Sequence, residues 1–169
     1  MRTHTVVDSP LGPLTLVADG AAVAGLYLSD QRHRPVIDEP RDDRVLPALR
    51  EQLEAYFRRE LEDFDVPVAL AGSPFQQQVW AALRSIGYGE TRTYGELARE
   101  LGRPGASRAV GLANGRNPVA VVVPCHRVVG SSGSLTGYGG GLARKQWLLD
   151  LEAGRLPGRA EPPGVMLGA

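Results

Sequence analysis

From residue 73 to residue 113 the chain is punctuated for short helices, and this constrains its fold more than any other feature. Ser73 can cap a helix start, Pro74 suits the first helical position and Gln76 completes a capping box. Phe75, Val79, Leu83 and Ile86 then make one apolar stripe. After Gly87-Tyr88-Gly89, Thr93 and Glu96 repeat the capping box and open a second helix through Ala98 to Leu101, which Gly102-Arg103-Pro104-Gly105 must end. A third helix is expected from about Ala106 to Ala113, before Asn114-Gly115-Arg116-Asn117-Pro118 breaks the pattern. Two short helices around a glycine turn, the second carrying Arg108, fit a helix-turn-helix. Helical hairpins of that kind also occur in proteins that never touch DNA.

The first 72 residues read differently. Leu14-Thr15-Leu16-Val17-Ala18 and a run over residues 23–28 flank Asp19-Gly20, a tight-hairpin signal. Over residues 45–61, Leu46, Leu49, Leu53, Tyr56 and Phe57 recur at helical spacing, and residues 64–68 read as a short edge strand. No nucleophile, carboxylate pair or ligand cluster gathers there. The expected organisation is an α+β support domain over 1–72, a mostly helical functional domain over 73–154 and a flexible Pro- and Gly-rich tail over 155–169.

Charge follows the same division. The whole chain balances 19 basic against 19 acidic side chains, which by itself argues against a nucleic-acid partner. Residues 1–72 nevertheless carry a net of −5, residues 73–152 a net of +4 and the remainder +1. Arg99, Arg103, Arg108, Arg116, Arg127, Arg144 and Lys145 face Glu100 alone across residues 99–149, a stripe that suits a polyanion. The competing reading is a solvated face countered by the acidic first block. No apolar run approaches the roughly 18 residues that span a bilayer, and Met1-Arg2-Thr3-His4 leads into no signal-peptide stretch, so a cytoplasmic protein is expected.

Cys125 is the single cysteine, which excludes an internal disulfide and a cysteine-rich zinc site. A lone cysteine is commonly an inert buried hydrophobe. Here residues 119–123 read as a buried strand that stops at Pro124-Cys125-His126-Arg127, and a thiol beside a histidine and basic residues is expected to have a lowered pKa. A last helix is expected from about Leu142 to near Glu152, with Gly154 placed to cap it.

These residues together resemble the O6-alkylguanine-DNA alkyltransferases, the methylated-DNA-protein-cysteine methyltransferases. The resemblance runs through Tyr94-Gly95-Glu96-Leu97-Ala98, Arg108-Ala109-Val110-Gly111, Asn114-Gly115-Arg116-Asn117-Pro118, Pro124-Cys125-His126-Arg127-Val128, and Gly137-Tyr138 with Gly140-Gly141. Ser9-Pro10-Leu11-Gly12-Pro13-Leu14 extends it loosely into the first block, which would then be ribonuclease H-like. The resemblance implies a DNA repair protein that flips an alkylated nucleotide from duplex DNA and moves the alkyl group from guanine O6, and by extension thymine O4, irreversibly to its own cysteine. Cys125 would be the nucleophile. His126 would be its base through a water, Glu152 the carboxylate that orients His126, and Asn117 the brace of the active-site turn. Tyr94 would donate to guanine N3. Arg108 would enter the base stack as a finger, with Tyr94, Ala106, Ser107, Asn114 and Arg116 on the DNA-binding face. The substrate pocket would take in Val128, Thr136, Tyr138, Gly139 and Lys145. No cofactor, no metal, no membrane and no obligate protein partner are implied, and a monomer is expected. Some relatives carry a zinc site and some a serine where this chain has Gly139, so both features are expected to be absent here.

Three alternatives compete: a non-catalytic alkylation-damage-binding protein, against which Cys125 argues; a Cys-His-Glu hydrolase or acyltransferase, which needs an oxyanion hole; and a transcription regulator, for which the cysteine would be dispensable.

Overall fold

β1 (Arg2–Val7), β2 (Leu14–Asp19) and β3 (Ala22–Leu28) pair antiparallel in the order β1-β2-β3. In this computed structural model, which describes residues 1–135 and 138–156, the Asp19-Gly20 turn joins β2 and β3 as the sequence predicts, with Gly20 at a φ of 61°. β2 is buried from Leu14 to Ala18, a central strand covered on both faces.

α1 (Pro47–Phe57) is shorter than the apolar spacing over 45–61 suggests. Pro47 fixes its start, and at its end Arg59 turns to a φ of 63° while Glu60 N–H donates to the Ala55 carbonyl at 2.8 Å. That 6→1 closure stops the helix before Leu61. Residues 64–68 form no strand. Only Val68 bridges, to Val23, because Pro67 has no N–H to donate to a ladder.

The helices of the second half begin where their caps predict. Ser73 and Gln76 close both halves of the capping box of α2 (Pro74–Arg84), and Thr93 and Glu96 do the same for α3 (Tyr94–Glu100). Gly102, at a φ of 70°, turns the chain out of α3 and lets Arg103 N–H reach the Ala98 carbonyl at 2.8 Å. α4 (Ser107–Gly115) follows. It runs through Asn114 and Gly115, where a break is expected from sequence, because the Asn114 side chain turns inward and bonds to a distant carbonyl instead of capping. Trp80 Nε1–H on the Ala113 carbonyl, 2.9 Å, ties α2 to α4.

Residues 119–123 are buried as expected but are not a strand. Val119 makes one bridge to Leu26, after which the chain turns through Val121 at a φ of 71°. Burial alone does not distinguish strand from turn; here Asn117 satisfies the turn's backbone. A 3-10 turn (Cys125–Arg127) leads into β5 (Val128–Val129), which pairs in parallel with β4 (Arg92–Thr93), and α5 (Leu142–Glu152) closes the described fold. One apolar core joins both halves, including Leu16, Leu26 and Tyr56 from the first and Val79, Leu83 and Leu148 from the second. Among the described residues no helix is long and apolar enough to cross a membrane.

Candidate functional site

Cys125 stands at the start of the 3-10 turn, which both halves of the chain hold in place. Asn117 spans the preceding loop: its Oδ1 accepts from Val119 N–H at 3.0 Å and its Nδ2 donates to the Val123 carbonyl at 2.8 Å. The loop is pinned to β3 by Leu26 N–H on the Pro118 carbonyl and Ala120 N–H on the Leu26 carbonyl, 2.9 and 3.2 Å. Asn114 Nδ2 donates to the Cys125 carbonyl at 3.3 Å. Asn117 thus ties together the two ends of the loop that leads to the turn. Asn114, expected on the DNA-binding face, is buried behind it.

The next residue, His126, is fully buried, and its Nε2 lies 2.8 Å from Glu152 Oε2 on α5. An ionised carboxylate only accepts, so Nε2 carries the proton and Nδ1 keeps its lone pair. Among the described residues no protein group meets Nδ1. Burial first, and the cations of Arg127 and Lys145 after it, lower the His126 pKa against the pull of Glu152, so the resting imidazole is neutral and able to take a proton. Below about pH 6.5 the unfolded chain binds a proton that this site resists, so acidification destabilises the fold.

The Glu152 carboxylate is fully engaged. Burial would raise its pKa, but His126 and Arg127 together hold it well below the usual carboxylate range. Arg127 grips it with Nε on Oε1 at 2.8 Å and Nη2 on Oε2 at 2.9 Å, and its Nη1 donates to the Ile86 carbonyl at 2.6 Å. Tyr56 Oη–H reaches from α1 to Oε2 at 2.6 Å. Neither residue was assigned to the site from sequence. By sequence Arg127 belongs to the basic stripe and Tyr56 to the apolar face of α1. A tyrosine in such a face needs a partner for its hydroxyl, which is the signal that could have found it.

The expected lowering of the Cys125 pKa is not what the structure shows. Burial pushes the thiol up, and the Asn117 hydrogen bond and the Lys145 charge offset this only in part. Neighbouring sequence reveals the basic groups but not the desolvation, which wins here. The resting cysteine is therefore a protonated thiol, next in the chain to a neutral histidine. Lys145 is itself fully buried, its pKa pushed down to about 8 by burial, and its Nζ lies 5.9 Å from the centre of the Tyr94 ring.

Cys125 opens on a cavity of about 10 Å³ lined also by Gln31, Asn114, Asn117, Tyr138 and Gly139. That is room for about one water. Tyr138 is buried with its hydroxyl unpartnered among the described residues, and burial raises its pKa well above the ordinary value. Gly139 is held by Arg32 N–H on its carbonyl, 2.7 Å. A Cβ on Gly140 would overlap the Leu28 side chain and the Tyr138 ring, so only glycine lets this loop lie so close to β3. Val128 is buried in β5. Thr136 lies outside the described residues, as do residues 157–169 of the expected tail.

The basic stripe divides in three. Arg127 and Lys145 are buried in the site, and Arg144 is half-buried, its Nη1 donating to the Ser29 and Gly140 carbonyls at 2.6 and 3.2 Å. Arg99, Arg103, Arg108 and Arg116 remain exposed. Arg108 and Leu112 on α4 and Arg116 at its C-cap are exposed at four-residue spacing, with Leu112 at 71% exposure between the two arginines, and Ser107 is exposed at the helix start. Ala106, at the start of α4, is half-buried. Such a face, cationic with a bare apolar side chain, can meet phosphates and bases together.

Comparison with known proteins bears on both halves. Residues 3–70 match the family model of the 6-O-methylguanine DNA methyltransferase ribonuclease-like domain, and residues 74–154 that of the 6-O-methylguanine DNA methyltransferase DNA binding domain. A methylated-DNA–protein-cysteine methyltransferase of Mycobacterium bovis is 52% identical over 158 residues, covering 93% of this chain and 96% of its own. One of Methanosarcina acetivorans is 48% identical, covering 88% and 97%. The crystal structure of Mycobacterium tuberculosis OGT in complex with DNA superposes with a TM-score of 0.89 at 49% identity, covering 98% of this chain and 99% of that one.

Proposed function

The chain belongs to the 6-O-methylguanine DNA methyltransferase family, and from that premise we propose that it repairs DNA by moving the methyl or larger alkyl group of O6-alkylguanine, and of O4-alkylthymine, from duplex DNA to Cys125. The observation that carries this is the buried line from the Cys125 turn through His126 to Glu152, set behind an exposed cationic helix. In this reading residues 73–154 carry the DNA face and the chemistry, and residues 1–72 support them.

The target carbon is a poor electrophile, so the reaction needs a thiolate. It forms when His126 Nδ1, relayed by a water, takes the thiol proton, and Glu152 stabilises the imidazolium that results. The sulfur lone pair attacks the alkyl carbon and the bond from that carbon to O6 breaks. Its electrons pass to guanine, whose negative charge a hydrogen bond from Tyr94 to N3 helps to neutralise. Generating thiolate only in the occupied site keeps the resting cysteine unreactive, in agreement with its raised pKa. Asn117 and Glu152 act as positioning residues, while Tyr138, Gly139, Val128, Thr136 and Lys145 surround the purine. The product is a thioether, which water does not cleave, so each protein acts once.

A guanine inside a duplex cannot reach Cys125, so the nucleotide must flip out, at a cost of a few kcal/mol. It also needs more room than the resting cavity gives, so the walls must part on binding. Arg108, exposed near the start of α4, fills the vacated stack, while Ser107, Arg116 and the Ala106 backbone hold phosphates. The test compares duplex DNA carrying O6-methylguanine with a free O6-alkylguanine base. Wild type transfers from both. Arg108→Ala should lose about tenfold or more on the duplex, as expected for a lost stacking wedge, and little on the free base. Equal losses on both substrates would remove the finger role, and no transfer by wild type from either would remove the reading itself.

A further inference from the structure

Glu152 Oε2 receives three donors, His126 Nε2 at 2.8 Å, Arg127 Nη2 at 2.9 Å and Tyr56 Oη at 2.6 Å. Two of these come from the turn that carries the nucleophile. The third comes from α1, 96 residues away in sequence, and is the shortest. Tyr56 is fully buried, with its ring against Phe57, Phe64 and Tyr88. A phenylalanine would fill that space equally well, so what the hydroxyl adds is the bond to Glu152. We infer that Tyr56 is a positioning residue for the transfer site, its hydroxyl fixing the Glu152 carboxylate and thereby setting the orientation and basicity of His126.

The inference rests on His126 serving as the base. The physical link is direct. A donor on Oε2 draws off part of the negative charge that His126 faces, and removing it leaves a more negative carboxylate that favours the imidazolium. The charged groups bearing on His126 are Arg127 from its own turn and Glu152 and Lys145 from α5, while Tyr88 and Tyr138 act on Glu152. All of these side chains are retained when the Tyr56 hydroxyl alone is removed, and the one it touches directly is Glu152, which loses a donor on Oε2. Residues 1–72 would thus contribute a functional group to the site as well as support.

The test uses the full chain in two variants and two readouts, the NMR titration of the His126 imidazole and the pH dependence of single-turnover transfer. Tyr56→Phe should move the imidazole pKa, and with it the acid limb of the transfer profile, up by about half a unit. Replacing Tyr56 by 3,5-difluorotyrosine, a stronger donor of the same shape, should move both down. Opposite shifts that follow donor strength, from none in phenylalanine to strongest in difluorotyrosine, separate the hydroxyl's bond from a packing effect. If the imidazole titrates identically in wild type and both variants, Tyr56 is a space filler and the inference is overturned. If the imidazole moves while the acid limb stays, Tyr56 does set His126, and it is the assignment of His126 as base that fails.

Discussion

Cys125→Ala should abolish alkyl transfer and leave affinity for duplex DNA unchanged to within about twofold. Both halves of that expectation come from the separation of the proposed nucleophile from the proposed DNA face. Cys125 is 6% exposed at the foot of the turn, whereas Arg108, Leu112 and Arg116 project outward from α4. The backbone that holds the turn uses Asn114 on the Cys125 carbonyl and Asn117 on the Val123 carbonyl, and neither needs the sulfur. Losing one buried sulfur costs about 1 kcal/mol, typical of a small core truncation and too little to unfold a domain. Single-turnover transfer and equilibrium binding on the same preparation check the pair. Loss of binding together with transfer would mean that Cys125 is structural.

Arg127→Ala should give the largest loss of stability of any single arginine replacement. Its guanidinium is buried and fork-bonded to the equally buried Glu152, and it also supplies a donor to the Ile86 carbonyl. Removing one partner of such a pair leaves a buried charge uncompensated, at a cost of about 3–5 kcal/mol, or a fall in Tm on the order of 10 °C for a chain of this size. Arg58→Ala is the control. Its bond to Glu54 joins two largely exposed side chains, and loss of such a pair costs about 0.5 kcal/mol or less. Glu152 is held below the ordinary carboxylate range, so its contribution is present above about pH 4.3 and lost as pH falls towards the folded value. The penalty of Arg127→Ala should therefore be full at neutral pH and shrink in acid. Thermal melts of the two variants across pH decide it, and equal losses at neutral pH would contradict the buried pair.

What was legible in the sequence was what short-range chemistry determines. The two capping boxes, the Asp-Gly hairpin and the helix closed by Gly154 stand where their residues place them, since each depends on atoms three or four positions apart. Ranges argued from hydrophobic pattern alone fared less well. Residues 119–123 are buried without being a strand, because Asn117 takes the backbone bonds that a neighbouring strand would have made. α4 overruns its expected break because the carbonyl that Asn114 seeks is that of Cys125, 11 residues on. The site shows the same division. Cys125 and His126 are neighbours and could be read from that stretch, whereas Asn117, part of a helix-breaking run by its sequence, took a role only from the family resemblance. Glu152 likewise came through the family resemblance, and Tyr56, meeting it from α1, is invisible until the fold is closed. The Cys125 pKa moves opposite to the sequence expectation because charge can be counted along a sequence and desolvation cannot. Whole-chain neutrality misled for the opposite reason, averaging an acidic first block with a basic second one.

The central claim is that Cys125 itself is consumed. Titrating a fixed amount of protein with increasing duplex DNA that carries labelled O6-methylguanine measures this directly. Bound label should rise to a plateau of one per protein, all of it on the peptide containing Cys125, with no further loss of label from the DNA thereafter. Label that continues to leave the DNA after that point, or that settles on any other residue, would contradict the account.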